Sequence, residues 1–194
     1  MAGNDLVDRI AAADPGSGSL MRAHNSAFME QPLPFYRRFR AVLITVRLPE
    51  RPVELRFADD GNEAIPVASA AGIYAVNARE GLRLDADQVA PYFRFFYANT
   101  AGRTRYLVES GDRVPWFDAA DMDAELEQRK VAARALIRPI NVVATSDGRF
   151  RVTATAIDQK TLLRLSYVVS ADGRVEAAEP IELLEGIPVP YVGL

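Results

Sequence analysis

Alternation of apolar and polar positions in two neighbouring segments predicts a pair of strands. Residues 41–48 are rich in β-branched side chains, and residues 53–57 alternate between apolar and charged side chains. The Pro-Glu-Arg-Pro sequence at 49–52 suits a turn, so we expect an antiparallel pair. Further short strands are predicted at 64–67, 73–76, 82–84 and 105–109.

The C-terminal part of the chain has the pattern of a strand meander. Asp-Gly pairs at 147–148 and 172–173, and the Asp-Gln-Lys sequence at 158–160, suit the turns between strands. Pro180 fits an edge or the start of a strand segment, because proline cannot donate to a ladder. The predicted strands are 140–145, 150–157, 162–169 and 175–183.

Two helices are predicted between these strand regions. Apolar residues in the segment 85–100 recur with the helical period and form one stripe, with Pro91 placed in the first turn and the ordered helix beginning near Ala90. The second helix is predicted to run from a cap at Asp118 to about Leu136. The stripe of the first helix consists of Val89, Tyr92, Phe93, Phe96 and Tyr97.

Residues 1–34 are predicted to form an N-terminal arm, partly disordered. A short helix at 4–13 is followed by Asp-Pro-Gly-Ser-Gly-Ser at 14–19, which is typical of a flexible link. Residues 35–194 are predicted to form the globular region, with a sub-boundary near 110–117. The predicted fold class is α+β, with curved antiparallel sheet packed on two or three helices and a C-terminal four-strand meander.

Composition excludes several classes of chemistry. The 194 residues are 49% hydrophobic and 25% charged, with a net charge of −3, so no overall positive field attracts nucleic acid. The chain has no cysteine, which excludes disulfides, thiolate metal sites and a cysteine nucleophile. It lacks a secretory signal and any run of about 20 apolar residues, so we expect a soluble, cytoplasmic protein that does not bind membranes.

Four polar features of the sequence are candidates for catalytic, metal-binding or nucleic-acid sites. His24, the only histidine, lies in the predicted arm without a nucleophile motif, so a surface position is favoured over catalysis. The acidic residues at 59–63 are typical of a turn, and those at 118–127 of a first helical turn with Asp121 and Glu125 on one face. The aromatic and arginine run at 35–40 could bind single-stranded nucleic acid, but inward-facing aromatics are favoured. Neither a metal nor a cofactor is predicted.

The predicted ligand site uses tyrosines, because each combines an apolar ring with a polar hydroxyl. A helix laid across a curved sheet can leave a cleft, here between the 90–99 helix and the C-terminal sheet. The candidate ligand-binding residues are Tyr92, Tyr97, Tyr106 and Tyr167. The apolar tail at 187–194 is expected to pack on its own domain or to dock on a neighbouring subunit.

Three functional hypotheses remain from the sequence. The leading one is a non-catalytic binding or assembly protein that forms a homo-oligomer through a sheet edge or the C-terminal tail. The second is a small-molecule-binding domain or small enzyme that uses the tyrosine cleft. The third is a nucleic-acid-binding accessory that uses Arg37, Arg38 and Arg40, and the acidic net charge disfavours it.

Overall fold

A computed structural model of the chain describes residues 2–118, 120 and 122–191. Helices and antiparallel sheets occur together, and the sheets are open, which confirms the α+β prediction. The chain divides into two compact units, Met1–Arg83 and Leu84–Leu194. The separate expectation of an arm at 1–34 and a sub-boundary near 110–117 stays a prediction.

The first unit combines helices with an antiparallel sheet whose strands follow the chain order β1-β2-β3-β4. Val46 pairs with Val53 at the start of the β2–β3 ladder, which confirms the predicted hairpin. The elements of this unit are α1 (Ala2–Ala13), α2 (Pro15–Ala23), β1 (Ser26–Pro32), β2 (Arg40–Val46), β3 (Val53–Asp59), β4 (Ala64–Pro66) and α3 (Ala70–Glu80).

The core of the first unit lies between its sheet and the two N-terminal helices. Alternate residues of β2 point into this core because side chains on a strand alternate between its two faces. Leu6 and Ile10 of α1 and Met21 of α2 are buried against them, so the N-terminal helices belong to this core. The sheet residues of the cluster are Val42, Ile44, Val46, Phe57 and Ala64.

The predicted flexible link at 14–19 is wrong, because these residues begin α2. Asp14 caps the helix, since its Oδ1 accepts hydrogen bonds from the backbone N–H groups of Gly16 and Ser17 at 3.1 and 3.2 Å. Pro15 occupies the first turn, where its missing N–H costs nothing. Gly18 allows the two helices to approach closely, because a Cβ there would lie 2.3 Å from that of Ala11.

The predicted short strands at 73–76 and 82–84 are also wrong. The first segment lies inside α3, where Ile73, Val76 and Asn77 are buried at helical spacing. Ser69 caps the helix and Gly81 ends it in the left-handed conformation, with φ of 61°. Leu82 follows this helix end in a loop. A four-residue apolar segment does not distinguish a strand from a helical face, which explains the error.

The second unit contains the predicted meander. Its sheet has the order β10-β8-β7-β5, with β6 also beside β7 and β9 also beside β8. The predicted strand at 175–183 is divided in two, and Pro180 lies between the two pieces. The elements of this unit are α4 (Ala86–Thr100), β5 (Arg105–Val108), a 3₁₀ turn (Gly111–Arg113), α5 (Ala124–Leu136), β6 (Asn141–Ala144), β7 (Phe150–Asp158), β8 (Thr161–Val169), β9 (Val175–Ala177) and β10 (Ile181–Leu184).

Both helices of the second unit are confirmed, but their starts were predicted wrongly. Asp85 and Gln88 form a reciprocal capping box, so α4 begins at Ala86 and Pro91 lies inside it. The cap of α5 is Asp123 instead of Asp118, because Asp123 accepts a hydrogen bond from the Leu126 N–H at 2.8 Å. Within the described residues, no helix is long and apolar enough to cross a membrane.

Candidate functional site

Two of the four predicted tyrosines, Tyr97 and Tyr167, meet on one face of the second unit's sheet, and Tyr92 lies on the same helix as Tyr97 with its ring 6.4 Å from that of Phe96. Tyr92 and Tyr97 lie on the buried face of α4, and Tyr167 lies on β8. The ring of Tyr167 is 4.9 Å from that of Phe93 and 6.4 Å from that of Tyr97, with the two tyrosine rings nearly perpendicular. These distances are typical of packed aromatic pairs, so Phe93, Tyr97 and Tyr167 form an aromatic layer between α4 and the sheet.

Burial determines the chemistry of this aromatic layer. It raises the pKa of Tyr97 far above its usual value, and it also raises the pKa of Tyr167. Both hydroxyls therefore stay protonated at neutral pH. Tyr92 donates a hydrogen bond to the backbone carbonyl of Gly173 at 2.5 Å, which ties α4 to the turn between β8 and β9. The hydroxyls of Tyr97 and Tyr167 can therefore donate hydrogen bonds, but they cannot act as bases at neutral pH.

Tyr106 lies on the opposite face of the sheet from the aromatic layer. It pairs with Ile157 in the β5–β7 ladder and packs against the cluster that contains Val108 and Ile137. Its hydroxyl is buried and has no hydrogen-bond partner among the described residues. The structure therefore brings together Tyr97 and Tyr167, with Tyr92 on the same helix, but not Tyr106, and the ligand-binding role of all four stays a prediction.

The other polar candidates occupy structural positions. His24 is exposed at the C-terminal end of α2. The aromatic side chains of the 35–40 run, Phe35, Tyr36 and Phe39, are buried and cannot stack on a base, whereas the arginines of the run are exposed. Asp121 lies outside the described residues. Among the described residues, no group of three histidine or carboxylate side chains is arranged to hold a metal ion.

The acidic segment at 59–63 forms the predicted turn. Asp60 Oδ1 accepts hydrogen bonds from the backbone N–H groups of Asn62 and Glu63, both at 2.9 Å. Asp59 instead holds α1, because its carboxylate accepts bonds from Arg9 at 2.7 and 3.0 Å. Both carboxylates are used by the fold of the first unit.

The described part of the C-terminal tail packs on its own unit. Ile187 and Val189 are fully buried in the cluster beneath α5. The Ile187 N–H donates to the Lys160 carbonyl at 3.0 Å, and the Pro188 carbonyl accepts from the Phe117 N–H at 2.9 Å. Residues 192–194 lie outside the described residues. The C-terminal tail is one of the two surfaces predicted for self-association, and its described part is already buried within its own unit.

Among the described edge strands, β1 is the longest and most exposed. Six of its seven residues are exposed, and they include Phe28, 42% exposed, and Met29, 57% exposed. β1 is the end strand of the first unit's sheet, next to β2 along its whole length. An edge strand of this length with apolar side chains is a template for pairing with another strand.

The hydrogen-bond pattern shows which groups of β1 face outward. The Arg47 N–H donates to the Asn25 carbonyl at 2.9 Å, in register with the β1–β2 ladder, so odd-numbered residues of β1 bond to β2. Ser26, Phe28 and Glu30 therefore direct their backbone N–H and C=O groups away from the sheet. Pro32 has the same parity, so its missing N–H costs no bond to β2.

Comparisons of the chain with models of protein families, with curated proteins and with solved structures find no match. The functional argument therefore rests on the geometry of the chain itself.

Sequence reasoning missed Phe28 and Met29. Their segment has neither a clear helical period nor strict alternation of apolar and polar residues. Most side chains on both faces of β1 are exposed, so neither face requires apolar residues. Pro32 is the feature of the sequence that indicates an edge strand here, since proline within a sheet is tolerated in edge strands.

Proposed function

We propose that this chain is a non-catalytic assembly protein whose copies associate by antiparallel pairing of their β1 strands. The observation that carries the proposal is an exposed seven-residue edge strand with Phe28 and Met29 on its two faces. When two such strands pair, the backbone N–H and C=O groups that point away from each sheet form hydrogen bonds with the other strand. The pairing also removes the apolar side chains from water.

Charge and side-chain size favour one register for this pairing. If Glu30 opposed Glu30 of the second copy, two carboxylates would face each other, which is destabilising. If Phe28 opposes Phe28 of the second copy, Glu30 opposes Ser26 and the large Met29 opposes the small Ala27. We therefore centre the pairing on Phe28. Its backbone groups face outward, so the two copies exchange hydrogen bonds at this pair.

The opposite edge of the same sheet explains why we expect a dimer instead of a fibre. β4 has three residues, ends at Pro66 and has α1 packed against it. A strand of three residues offers few groups for pairing, and the helix packed against it protects the edge further. With β4 protected, β1 pairs with β1 about a two-fold axis, which closes the assembly at two copies.

Sedimentation equilibrium of the purified protein tests this proposal. We expect the unchanged chain to have twice the mass of one chain, and Phe28→Lys to have the mass of one chain. The matched control is Val143→Lys, because Val143 is 51% exposed on β6, an edge strand of the second unit. A monomeric unchanged chain, or equal masses for Phe28→Lys and Val143→Lys, would contradict the proposal.

A further inference from the structure

A groove of about 540 Å³ opens on the second unit, where the segment after α5 crosses the sheet. Its volume is within the range of small-molecule sites. One wall is apolar and comes from Leu136, Pro139 and Ile140, whereas the floor is polar and includes Thr153 and Thr155 of β7. The groove therefore combines an apolar wall with hydrogen-bonding groups.

The register of the strands places the polar groups of the groove on one face. Asn141 pairs with Thr153 in the β6–β7 ladder, and Thr155 pairs with Arg164 in the β7–β8 ladder. Directly paired residues of an antiparallel ladder point to the same side of the sheet. This face is opposite the one that packs against α4, because Tyr167 of the aromatic layer pairs with Val152, one residue out of phase with Thr153.

Thr155 holds the wall of the groove in place. It is 4% exposed, and its Oγ1 both accepts a hydrogen bond from the Arg138 N–H at 3.1 Å and donates to the Arg138 carbonyl at 3.3 Å. This pair of bonds fastens the backbone of the α5–β6 connection to the floor. The groove is thus built into the fold, because a packed side chain sets the position of its wall.

Two arginines give the groove positive charge. Arg138 donates through one terminal nitrogen to the carbonyls of Ala135 and Ile137, at 2.7 and 2.8 Å, and Arg164 is exposed on β8. Among the described residues, neither guanidinium has a carboxylate partner within ion-pair distance. None of the described residues that line the groove is a carboxylate. A guanidinium has paired donors that match the oxygens of a carboxylate or phosphate.

We propose that this groove binds a small organic oxyanion, with its carboxylate or phosphate group between Arg164 and Arg138. The hydroxyl of Thr153 and the amide of Asn141 supply further hydrogen bonds, and the apolar part of the molecule lies against Leu136 and Ile140. This site is separate from the β1 edge and from the tyrosine cleft predicted from the sequence.

An NMR titration that follows backbone amides tests the groove with defined probes. We use phenyl phosphate and benzoate as oxyanions that carry an apolar ring, and benzyl alcohol as the uncharged match. We expect the oxyanions to shift the amides of Asn141, Thr153 and Arg164, and benzyl alcohol to leave them in place. The oxyanion that binds with the higher affinity identifies the preferred headgroup, and binding of either one supports the proposal.

Variants identify the groups that hold the anion. Arg164→Gln and Arg138→Gln should each weaken oxyanion binding about tenfold, since a hydrogen bond to a charged group contributes enough for that factor. Arg103→Gln is the matched control, because Arg103 is exposed in the same unit and does not line the groove. Amides distant from the groove report that each variant is folded.

Three results would overturn the proposal. The first is the absence of localised shifts with both oxyanions. The second is equal binding of benzyl alcohol, which would leave the arginines without a role. The third is equal affinity in Arg164→Gln, Arg138→Gln and Arg103→Gln.

Discussion

The sheets of the two units end in different ways. The first unit's sheet ends at β1, which has seven residues and is exposed on both faces. The second unit's sheet is bordered by shorter strands, with four residues in β5 and β6, three in β9 and four in β10. Short edge strands offer few backbone groups for pairing, so they protect a sheet from association.

This contrast indicates which surface of each unit is suited to bind a partner. In the second unit, β7 and β8 lie inside the sheet with short strands on both sides, and the polar groups of the groove lie on a face of that sheet. In the first unit, β1 exposes backbone N–H and C=O groups at the edge of the sheet. A backbone edge favours another strand as partner, whereas a polar face with a groove favours a small molecule.

The largest effect is expected from proline substitutions in β1. Glu30→Pro removes an outward N–H and should abolish the dimer while the fold is retained, as the existing Pro32 indicates. Met29→Pro removes an N–H that bonds to β2, so it should destabilise the first unit itself. Sedimentation and thermal unfolding separate the two outcomes. Equal loss of stability in both variants would contradict the assigned hydrogen-bond parity.

The same substitution, isoleucine to alanine, in the core of each unit compares how much core packing contributes to stability in the two units. Ile10 of α1 and Ile157 of β7 are both 0% exposed, so each change to alanine should lower the free energy of unfolding by about 3 kcal/mol. Ile181→Ala, at a side chain 57% exposed, should change it by less than about 0.5 kcal/mol. Urea unfolding measures all three. A negligible effect of Ile10→Ala would show that α1 is not part of the core.

Two tyrosine hydroxyls in the second unit should have opposite effects. Tyr92→Phe removes the bond to the Gly173 carbonyl and should lower the free energy of unfolding by about 1 kcal/mol. Tyr106→Phe removes a buried hydroxyl that has no partner among the described residues, so it should be neutral or stabilising by about 1 kcal/mol. Urea unfolding of the two variants checks the signs. A large loss in Tyr106→Phe would refute the assigned environment.

The smallest effect is expected at the ion pair between α4 and the end of β5. Hydrogen bonds from Arg94, with Nε 2.6 Å from Glu109 Oε1, lower the pKa of Glu109 against the opposing effect of burial. A lowered folded-state pKa contributes stability above the unfolded value and loses it as pH falls through the folded value. Because the pair is partly exposed, Glu109→Gln should cost only about 0.5 kcal/mol at neutral pH.

The pH dependence of this difference is the check. The stability of the unchanged chain and of Glu109→Gln should converge as pH falls below about 4, the ordinary range of glutamate. Glu182→Gln, at an exposed residue of β10, is the control. A difference that persists unchanged at lower pH would show that the effect of the substitution is not electrostatic.

Local patterns predicted the elements that have strong periodicity or strong turn chemistry. The meander was recognisable because Asp-Gly pairs separate strands of regular length. The α4 stripe was recognisable because its residues share one helical face, and the hairpin of β2 and β3 because proline bounds its turn. These signals are local and do not depend on the packing partner.

Other features depend on contacts that the sequence does not show. Gly18 looked like a helix breaker, but it allows α1 and α2 to approach each other. Tyr106 looked equivalent to Tyr167, but the strand register places it on the other face of the sheet. The groove depends on the bonds between Thr155 and Arg138, which are 17 residues apart. Positions of this kind follow from tertiary pairing, so a linear pattern cannot reveal them.

Disulfide trapping tests the pairing of β1 most directly, because the natural chain has no cysteine. Residues of a hydrogen-bonded antiparallel pair have Cα atoms about 5.5 Å apart, within disulfide range. Phe28→Cys should therefore cross-link two copies under mild oxidation. Gln31→Cys should not, since the two cysteines would be about 20 Å apart along the paired strands. Cross-linking of Gln31→Cys but not Phe28→Cys, or of neither, would contradict the proposed assembly.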